Sequence, residues 1–181
     1  IIPYFADSEI GCVCGCLQYT NLHEGATANI GGFYWRFEEY IKQLESETGN
    51  VMGADGSIFA IRRELYSQIP QSTLPDMFIS FEVLFKGYRI IHAKDVVGYE
   101  RSATAGHDEF RRKVRIACRA FNFHRDYWSR LTLMSAWDQY KYFSHKFIRW
   151  FSFLWFLLAA SLTSGLILGI VGLGVFLVAA T

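Results

Sequence analysis

Charge is what this sequence runs out of. No Lys, Arg, Asp or Glu follows Arg149 in a chain of 181 residues. Before that point the charges nearly cancel, 18 basic against 17 acidic, for a net of +1. No basic excess therefore points to nucleic acid as a partner. Proline is scarce, with Pro3, Pro70 and Pro75 the only three. No low-complexity linker or internal repeat divides the chain, and its length allows one domain and little more. A Ser-His-Asp arrangement, a phosphate-binding loop and a His-Glu-x-x-His motif are all absent, which removes the commonest hydrolase, P-loop and metalloprotease readings.

Cysteine is also sparse, with four in all. Cys12, Cys14 and Cys16 alternate, so on a strand their thiols share one face. Zinc sites usually space ligands as Cys-x2-4-Cys with a second pair elsewhere. Here Cys118 stands alone, and the preferred reading is small buried thiols on a core strand, with no metal ligand among them. A cytoplasmic setting argues against disulfides.

What is present divides the chain between two solvents. The apolar share is 51% and the aromatic share 17%, high for a soluble domain, and the excess sits in the tail. From Trp150 to Thr181 only Ser152, Ser161, Thr163 and Ser164 interrupt apolar and small residues. A span needs roughly 20 apolar residues, so this stretch reads as one transmembrane segment, with a buried core helix as the bland alternative. The pieces on either side of Thr163-Ser164-Gly165 are too short for two full spans. Lys141, Lys146 and Arg149 flank its N-terminal side, which places the globular part in the cytoplasm by the positive-inside tendency. Trp150, Trp155, Tyr140 and Tyr142 suit an interfacial belt. The chain starts at Ile1 rather than Met and stops within an apolar run, so the expectation is a piece of a longer protein.

The globular part alternates strand and helix signals, as an α/β domain does. Ile10 to Tyr19 reads as a strand and Gly25 to Gly32 as a loop. Phe33 to Glu47 reads as a helix with Phe33, Phe37, Tyr40, Ile41 and Leu44 inward and Arg36, Glu38, Glu39, Lys42 and Glu45 outward. Gly49 marks its C-terminus. A turn over Val51 to Ser57 precedes a short strand, Ile58 to Ile61. The loop Pro70 to Pro75 leads to a helix, Phe78 to Phe85, closed by Gly87. Tyr88 to His92 and Val96 to Tyr99 read as two strands. Asp108 is the expected N-cap of a basic helix, Glu109 to Phe123, with Phe110, Val114, Ala117, Cys118 and Phe121 inward. Tyr127 to Phe147 reads as helix lying at a membrane surface. Residues 1–125 are thus the cytoplasmic domain, 126–149 interfacial helices and 150–181 the span.

Asp76 is the best-placed carboxylate, between a Pro-containing loop and a helix whose N-terminal dipole supports an ionised side chain. The simpler reading is a plain N-cap. Asp55 lies in Gly53-Ala-Asp-Gly56, where glycine permits close approach to a ligand and equally a tight turn. Arg112, Arg115 and Arg119 share a helix face, within a cluster that includes Arg111 and Lys113. Such a face grips a diphosphate through guanidinium forks or attracts anionic lipid head groups. His92 and His107 are lone histidines and read as structural.

Four segments in order carry a resemblance. They are Val51-Met-Gly-Ala-Asp-Gly-Ser-Ile-Phe-Ala-Ile-Arg-Arg63, Leu74-Pro-Asp-Met-Phe-Ile-Ser-Phe-Glu-Val-Leu-Phe-Lys-Gly-Tyr-Arg89, Phe110-Arg-Arg-Lys-Val-Arg-Ile116 and Ser144-His-Lys-Phe-Ile-Arg-Trp150. The chain resembles the second half of the family-two membrane glycosyltransferases, the cellulose, chitin, hyaluronan and poly-N-acetylglucosamine synthase group. The first segment is similar to the family's glycine-containing acceptor-side strand, the second to its Thr-Glu-Asp segment, the third takes the place of Gln-x-x-Arg-Trp, and the fourth resembles the entry to its membrane helices. Pro75 stands where the family often has Glu, and Arg112 and Ile116 where processive synthases have Gln and Trp, so the processive signature is absent.

The resemblance implies the C-terminal half of a GT-A type (Rossmann-like) domain. It implies sugar transfer with inversion from a nucleotide-sugar donor to a glycan or lipid acceptor. Asp76 would be the general base, Gly53 and Asp55 acceptor-binding, and Arg112 and Arg115 diphosphate-binding. A divalent metal, Mg2+ or Mn2+, would be held by an N-terminal half outside this sequence. Membrane lipid is the remaining expected partner. The alternative is a non-catalytic membrane-anchored α/β subunit that recruits a partner.

Overall fold

The strand expected over Ile10 to Tyr19 forms with those bounds and becomes the centre of the domain. In the computed structural model, which describes residues 1–20, 26–101 and 106–179, a three-stranded sheet has the order β2-β1-β3. β1 (Ile10–Tyr19) pairs antiparallel with β2 (Phe59–Ile61) and parallel with β3 (Arg89–Glu100). α1 (Ala26–Glu47) and α2 (Pro75–Phe85) lie in the crossover between the parallel strands, as parallel pairing requires. Cys12, Val13 and Cys14 are wholly buried, as befits a central strand covered on both faces.

The two faces of β1 feed two core clusters. Cys12 and Cys14 pack with Val51, Ala54, Leu65, Val83 and Ile90, while Val13 packs with Ile10 and Ala93. Ile10 and Val13 share a face because the register shifts between Ile10 and Cys12. The extra residue, Gly11, flips the alternation, as a bulge does. Its lack of a side chain is required: a Cβ there would lie 2.6 Å from both Tyr88 Cβ and Val83 Cγ1 and 2.7 Å from Leu65 Cδ1. Gly11→Ala is expected to cost about 1–3 kcal/mol through overpacking, measured as a lower midpoint in urea.

Several expectations are corrected. The segment read as a loop over Gly25 to Gly32 is helical from Ala26, with residue 25 outside the described residues. Two interior glycines, each costing about 1 kcal/mol against Ala, are carried as part of the longer helix. The two strands expected at Tyr88 to His92 and Val96 to Tyr99 are one, β3. Its Lys94-Asp95 break is absorbed where Gly15 pairs with Ala93 and Cys16 with Val97. α3 (Gly106–Leu131) starts before Asp108 and continues past Phe123, so Asp108 lies inside the first turn rather than at the cap. The helix expected over Tyr127 to Phe147 is divided between the end of α3, α4 (Ala136–Tyr142) and a π-helical turn, Phe143–Phe147.

The largest correction concerns which helix faces are buried. On α1 the apolar stripe Phe33, Phe37, Tyr40 and Leu44 is exposed, while Glu38, Lys42 and Glu45 are buried. On α3 the expected inward set Phe110, Val114, Ala117, Cys118 and Phe121 is exposed, and Ala120, Phe123 and Leu131 are buried. Periodicity located the stripes, but it cannot say which side meets the sheet.

α3 reaches α2 through aromatic packing. Phe81 sits against Phe123 and Tyr142, both at 5.3 Å between ring centroids, and Phe78 meets Tyr127 edge-on. Arg130 pairs with Glu82 and lies 4.2 Å from the Phe85 ring centre. The Tyr142 hydroxyl and His124 Nδ1 are 2.6 Å apart, and burial pushes the His124 pKa down to about 4, so that imidazole is neutral.

Residues Ile1–Tyr142 form one compact unit and Phe143–Thr181 another. In the second, α5 (Ile148–Trp150) leads to α6 (Ser152–Ala179). Ser152–Ile170 has a mean hydropathy of 2.1 and no buried share, so it is long and apolar enough to cross a membrane. Three of its polar interruptions bond to the helix's own carbonyls. Ser161 donates to Leu158 O at 3.0 Å, Thr163 to Ala159 O at 2.8 Å and Ser164 to Ala160 O at 2.8 Å. These side chains thus require no water as hydrogen-bond acceptor.

Candidate active site

The connection after α1 is anchored before it reaches the candidate site residues. Gly49 takes a φ of 137°, a conformation that favours glycine and ends the helix. Asn50 Oδ1 then accepts from Ile90 N at 3.1 Å and Val51 N donates to Ile90 O at 3.0 Å. Glu45 Oε2 accepts from Met52 N at 2.9 Å, and Ser46 Oγ accepts from His92 N at 2.9 Å. From α4, Lys141 Nζ donates to Asn50 O at 2.8 Å. With Val51 and Met52 fully buried, the following Gly53-Ala-Asp-Gly56 is held on a fixed base.

That loop is folded onto the start of α2. Gly53 has a φ of 96°, and a Cβ there would meet Phe81 Cε2 at 3.4 Å. Ala54 N donates to Ser80 Oγ at 3.1 Å, and Ser80 Oγ donates to Met77 O at 3.0 Å. Asp76 lies in the first turn of α2, but the N-cap is Leu74. The plain N-cap reading of Asp76 is therefore corrected: Pro75 supplies the first turn without needing an N–H partner. Asp76 Oδ1 accepts instead from Met77 N at 2.8 Å.

Gly53, Asp55 and Asp76, named separately from the sequence, are thus brought together. Burial is the main cause that raises the Asp76 pKa, and the negative charge of Asp55 adds to it, against lowering by the backbone N–H groups of Met77 and Gly56. A Cβ on Gly56 would lie 3.2 Å from Asp76 Oδ2, so this glycine lets the backbone approach the carboxylate. Gly56→Ala is expected to displace that carboxylate by a few tenths of an ångström. The result would be a several-fold to roughly tenfold loss of kcat/KM, small beside the 100-fold that a 1 Å misplacement can cost, with an unchanged circular-dichroism spectrum.

Arg112 and Arg115 lie exposed on α3. Their relation to Asp76 runs through Asn122, whose Nδ2 donates to Ser72 O at 3.0 Å in the loop that delivers Asp76. Arg119, Arg115 and Arg112 stand about one, two and three helical turns upstream of Asn122. Arg62, from the basic pair after β2, holds the chain start in place by donating to Ile10 O, Phe5 O and Asp7 O at 2.8, 2.9 and 2.7 Å.

Sequence reasoning missed the buried ionic network behind Asp55. Lys42 is wholly buried and pairs with both Asp55 and Glu39. Burial opposes its charge, but the two carboxylates outweigh this and raise its pKa above the ordinary lysine value. Glu39 Oε2 lies 3.2 Å from His92 Nε2. Burial alone would raise the Glu39 carboxyl, yet His92 and Lys42 hold it below its ordinary range. Burial and Glu39 push the Cys16 thiol up to about 11. The one sequence signal was a lysine and an acid at helical spacing in a segment leading to Gly53-Ala-Asp-Gly56, and the exposed-face assignment concealed it.

No curated protein matches the chain. A family model does, over all of residues 1–181: glycosyl transferase family group 2. With its mixed α/β fold and its converging carboxylates, the chain belongs to that family and is a glycosyltransferase.

Proposed function

We propose that the site transfers a sugar, with inversion, from a nucleotide-sugar donor to a glycan or lipid acceptor, with Asp76 as general base. The observation that carries this reading is the convergence of Asp76 on the Gly53–Gly56 loop, where burial and Asp55 raise its basicity. The acceptor hydroxyl loses its proton to Asp76 as its oxygen attacks the anomeric carbon, and the nucleoside diphosphate departs from the opposite face. A positioned base of this kind contributes about a hundred- to ten-thousand-fold in rate. Gly53 and Asp55 border the acceptor. Arg112 and Arg115 face the departing diphosphate, where charge-assisted hydrogen bonds strengthen as charge develops.

Members of the family commonly use a divalent metal. Among the described residues the group with metal-ligand geometry is Cys16, Glu39 and His92. A thiol and an imidazole suit soft or borderline ions, not Mg2+ or Mn2+, which take oxygen ligands. These residues do not fit the reaction's metal, and no step above passes through one.

In this proposal residues 150–181 span the membrane, residues 126–149 lead into the span, and the catalytic part faces the cytoplasm. The reading is tested by nucleotide release from the full-length protein in native-like membrane, with Mg2+ or Mn2+, against a panel of UDP- and GDP-sugars. Release that requires Asp76 supports it and identifies the donor. A folded, complete protein that releases nucleotide from none of them overturns it.

A further inference from the structure

The ion pairs behind Asp55 leave a charge and a buried carboxylate oxygen to account for. Lys42 is shared by Glu39 and Asp55, so one ammonium faces two carboxylates and the group carries one negative charge too many. An uncompensated buried charge is costly. Glu39 Oε2 is enclosed and meets no donor at good hydrogen-bond geometry among the described residues. His92 Nε2 is close to Glu39 Oε2, at 3.2 Å, with the His92 side chain 1% exposed. Cys16 stands beside them, and the ligand atoms of Cys16, Glu39 and His92 all lie within 4.8 Å of one another.

We propose that Cys16, Glu39 and His92 form a structural zinc site that staples α1 to the sheet. The three ligands come from β1, α1 and β3, elements far apart in the chain, so the sequence spacing of the cysteines carries no sign of it. The donor set of thiolate, carboxylate and imidazole is one that zinc takes at about 2.0–2.3 Å with tetrahedral geometry. That geometry puts ligand atoms about 3.3–3.8 Å apart, so from separations within 4.8 Å the present cluster closes by about 1.5 Å at most. The charges balance. The ion brings +2, the Cys16 thiol releases its proton to solvent and adds −1, and the excess −1 of the cluster is cancelled. His92 binds as the neutral ring through Nε2. Lys42, on the other oxygen of Glu39, orients that carboxylate from the outer shell, the usual role of such partners. Water or a further side chain supplies the fourth position.

This site differs in chemistry from the metal that assists departure of a diphosphate, and it does not depend on the general-base reading of Asp76. Its test is metal content and cobalt spectroscopy of the full chain in detergent. After zinc loading and dialysis against metal-free buffer, elemental analysis is expected to find about one zinc per chain, the stoichiometry of a single site. Substitution by Co2+ is expected to give a thiolate-to-cobalt charge-transfer band in the near ultraviolet. Cys16→Ser should abolish that band, and His92→Gln should weaken metal affinity by more than about 100-fold, beyond the loss of an outer-shell partner. Cys118→Ser, at an exposed position on α3, should leave both unchanged. Because either ligand variant could fail to fold, the wild-type chain gives its own readout: a chelator should lower its Tm and zinc should restore it. Zinc far below stoichiometry in a folded chain, a Tm indifferent to chelator, or a cobalt band that survives Cys16→Ser overturns the site.

Discussion

Asp76→Asn is expected to lower sugar transfer by about a hundred- to ten-thousand-fold, the range for losing a positioned base, without lowering the melting temperature. The stability half of this expectation follows from linkage. Burial, with Asp55 beside it, raises the Asp76 pKa above its ordinary value. A carboxyl whose folded pKa is raised binds its proton more tightly when folded. Its favourable contribution is fully present below the unfolded pKa and is lost as pH rises through the folded one. At neutral pH the ionised Asp76 therefore costs stability, which the neutral amide removes. The Asn oxygen can still accept the Met77 N–H bond that Asp76 Oδ1 holds at 2.8 Å. Lost turnover with an equal or higher Tm identifies a functional carboxylate kept at a stability cost. Lost turnover with a sharply lower Tm assigns Asp76 to structure, and retained turnover removes it from the mechanism. The wild-type rate should also fall on the acid side, as pH drops through the raised pKa of Asp76.

Lys42→Met is expected to destabilise the domain by about 3–5 kcal/mol, the cost of removing one partner from a buried ion pair. Methionine has nearly the length of lysine but no charge, so the loss is electrostatic rather than a cavity. Glu39 and Asp55 would then stand together at the edge of the core with no ammonium between them. In a domain of this size the change should appear as a fall in Tm of about 10 °C. The second substitution Asp55→Asn should recover part of the loss, because it removes a carboxylate that Lys42 no longer neutralises; the coupling is read from the double-mutant cycle. The pH behaviour is fixed by sign. The Lys42 pKa is raised in the folded state, so its contribution is complete below the unfolded value of 10.5 and is lost only as pH rises through the folded one. Stability from Lys42 should not vary between pH 6 and 9, values well below the ordinary lysine pKa of about 10.4. A Lys42→Met variant as stable as the parent would show that the network contributes nothing net.

Local chemistry made parts of this molecule legible in advance. The β1 bounds followed from a run of small and apolar residues between polar flanks. The end of α2 followed from Gly87, whose φ in the structure is 84°, whereas its start was placed too late, at Phe78: Pro75, read as loop, opens the first turn, a position that proline fits. The apolar helix after Arg149 followed from the absence of charge, because that property depends on length and composition alone. The same local logic failed on α1 and α3. It placed their large apolar side chains inward, and the fold turns those stripes outward.

The reason for that failure also separates what the sequence determined from what the tertiary structure decided. A sequence states the period of a pattern, the turn chemistry and the run length, all properties of neighbours in the chain. It therefore determined the alternation of strands and helices, the Gly53–Gly56 loop, the candidate base Asp76 and the apolar tail. Which face of α1 meets the sheet depends on what the sheet offers, and that is settled by contacts distant along the chain. Only the fold could bring Asp76 against Gly56, set Lys42 between Glu39 and Asp55, and gather Cys16, Glu39 and His92 from β1, α1 and β3. Coulomb energy depends on separation in space rather than along the chain, and a hydrogen-bonded ion pair needs contact distance, so the ionic network exists only once those distances are closed.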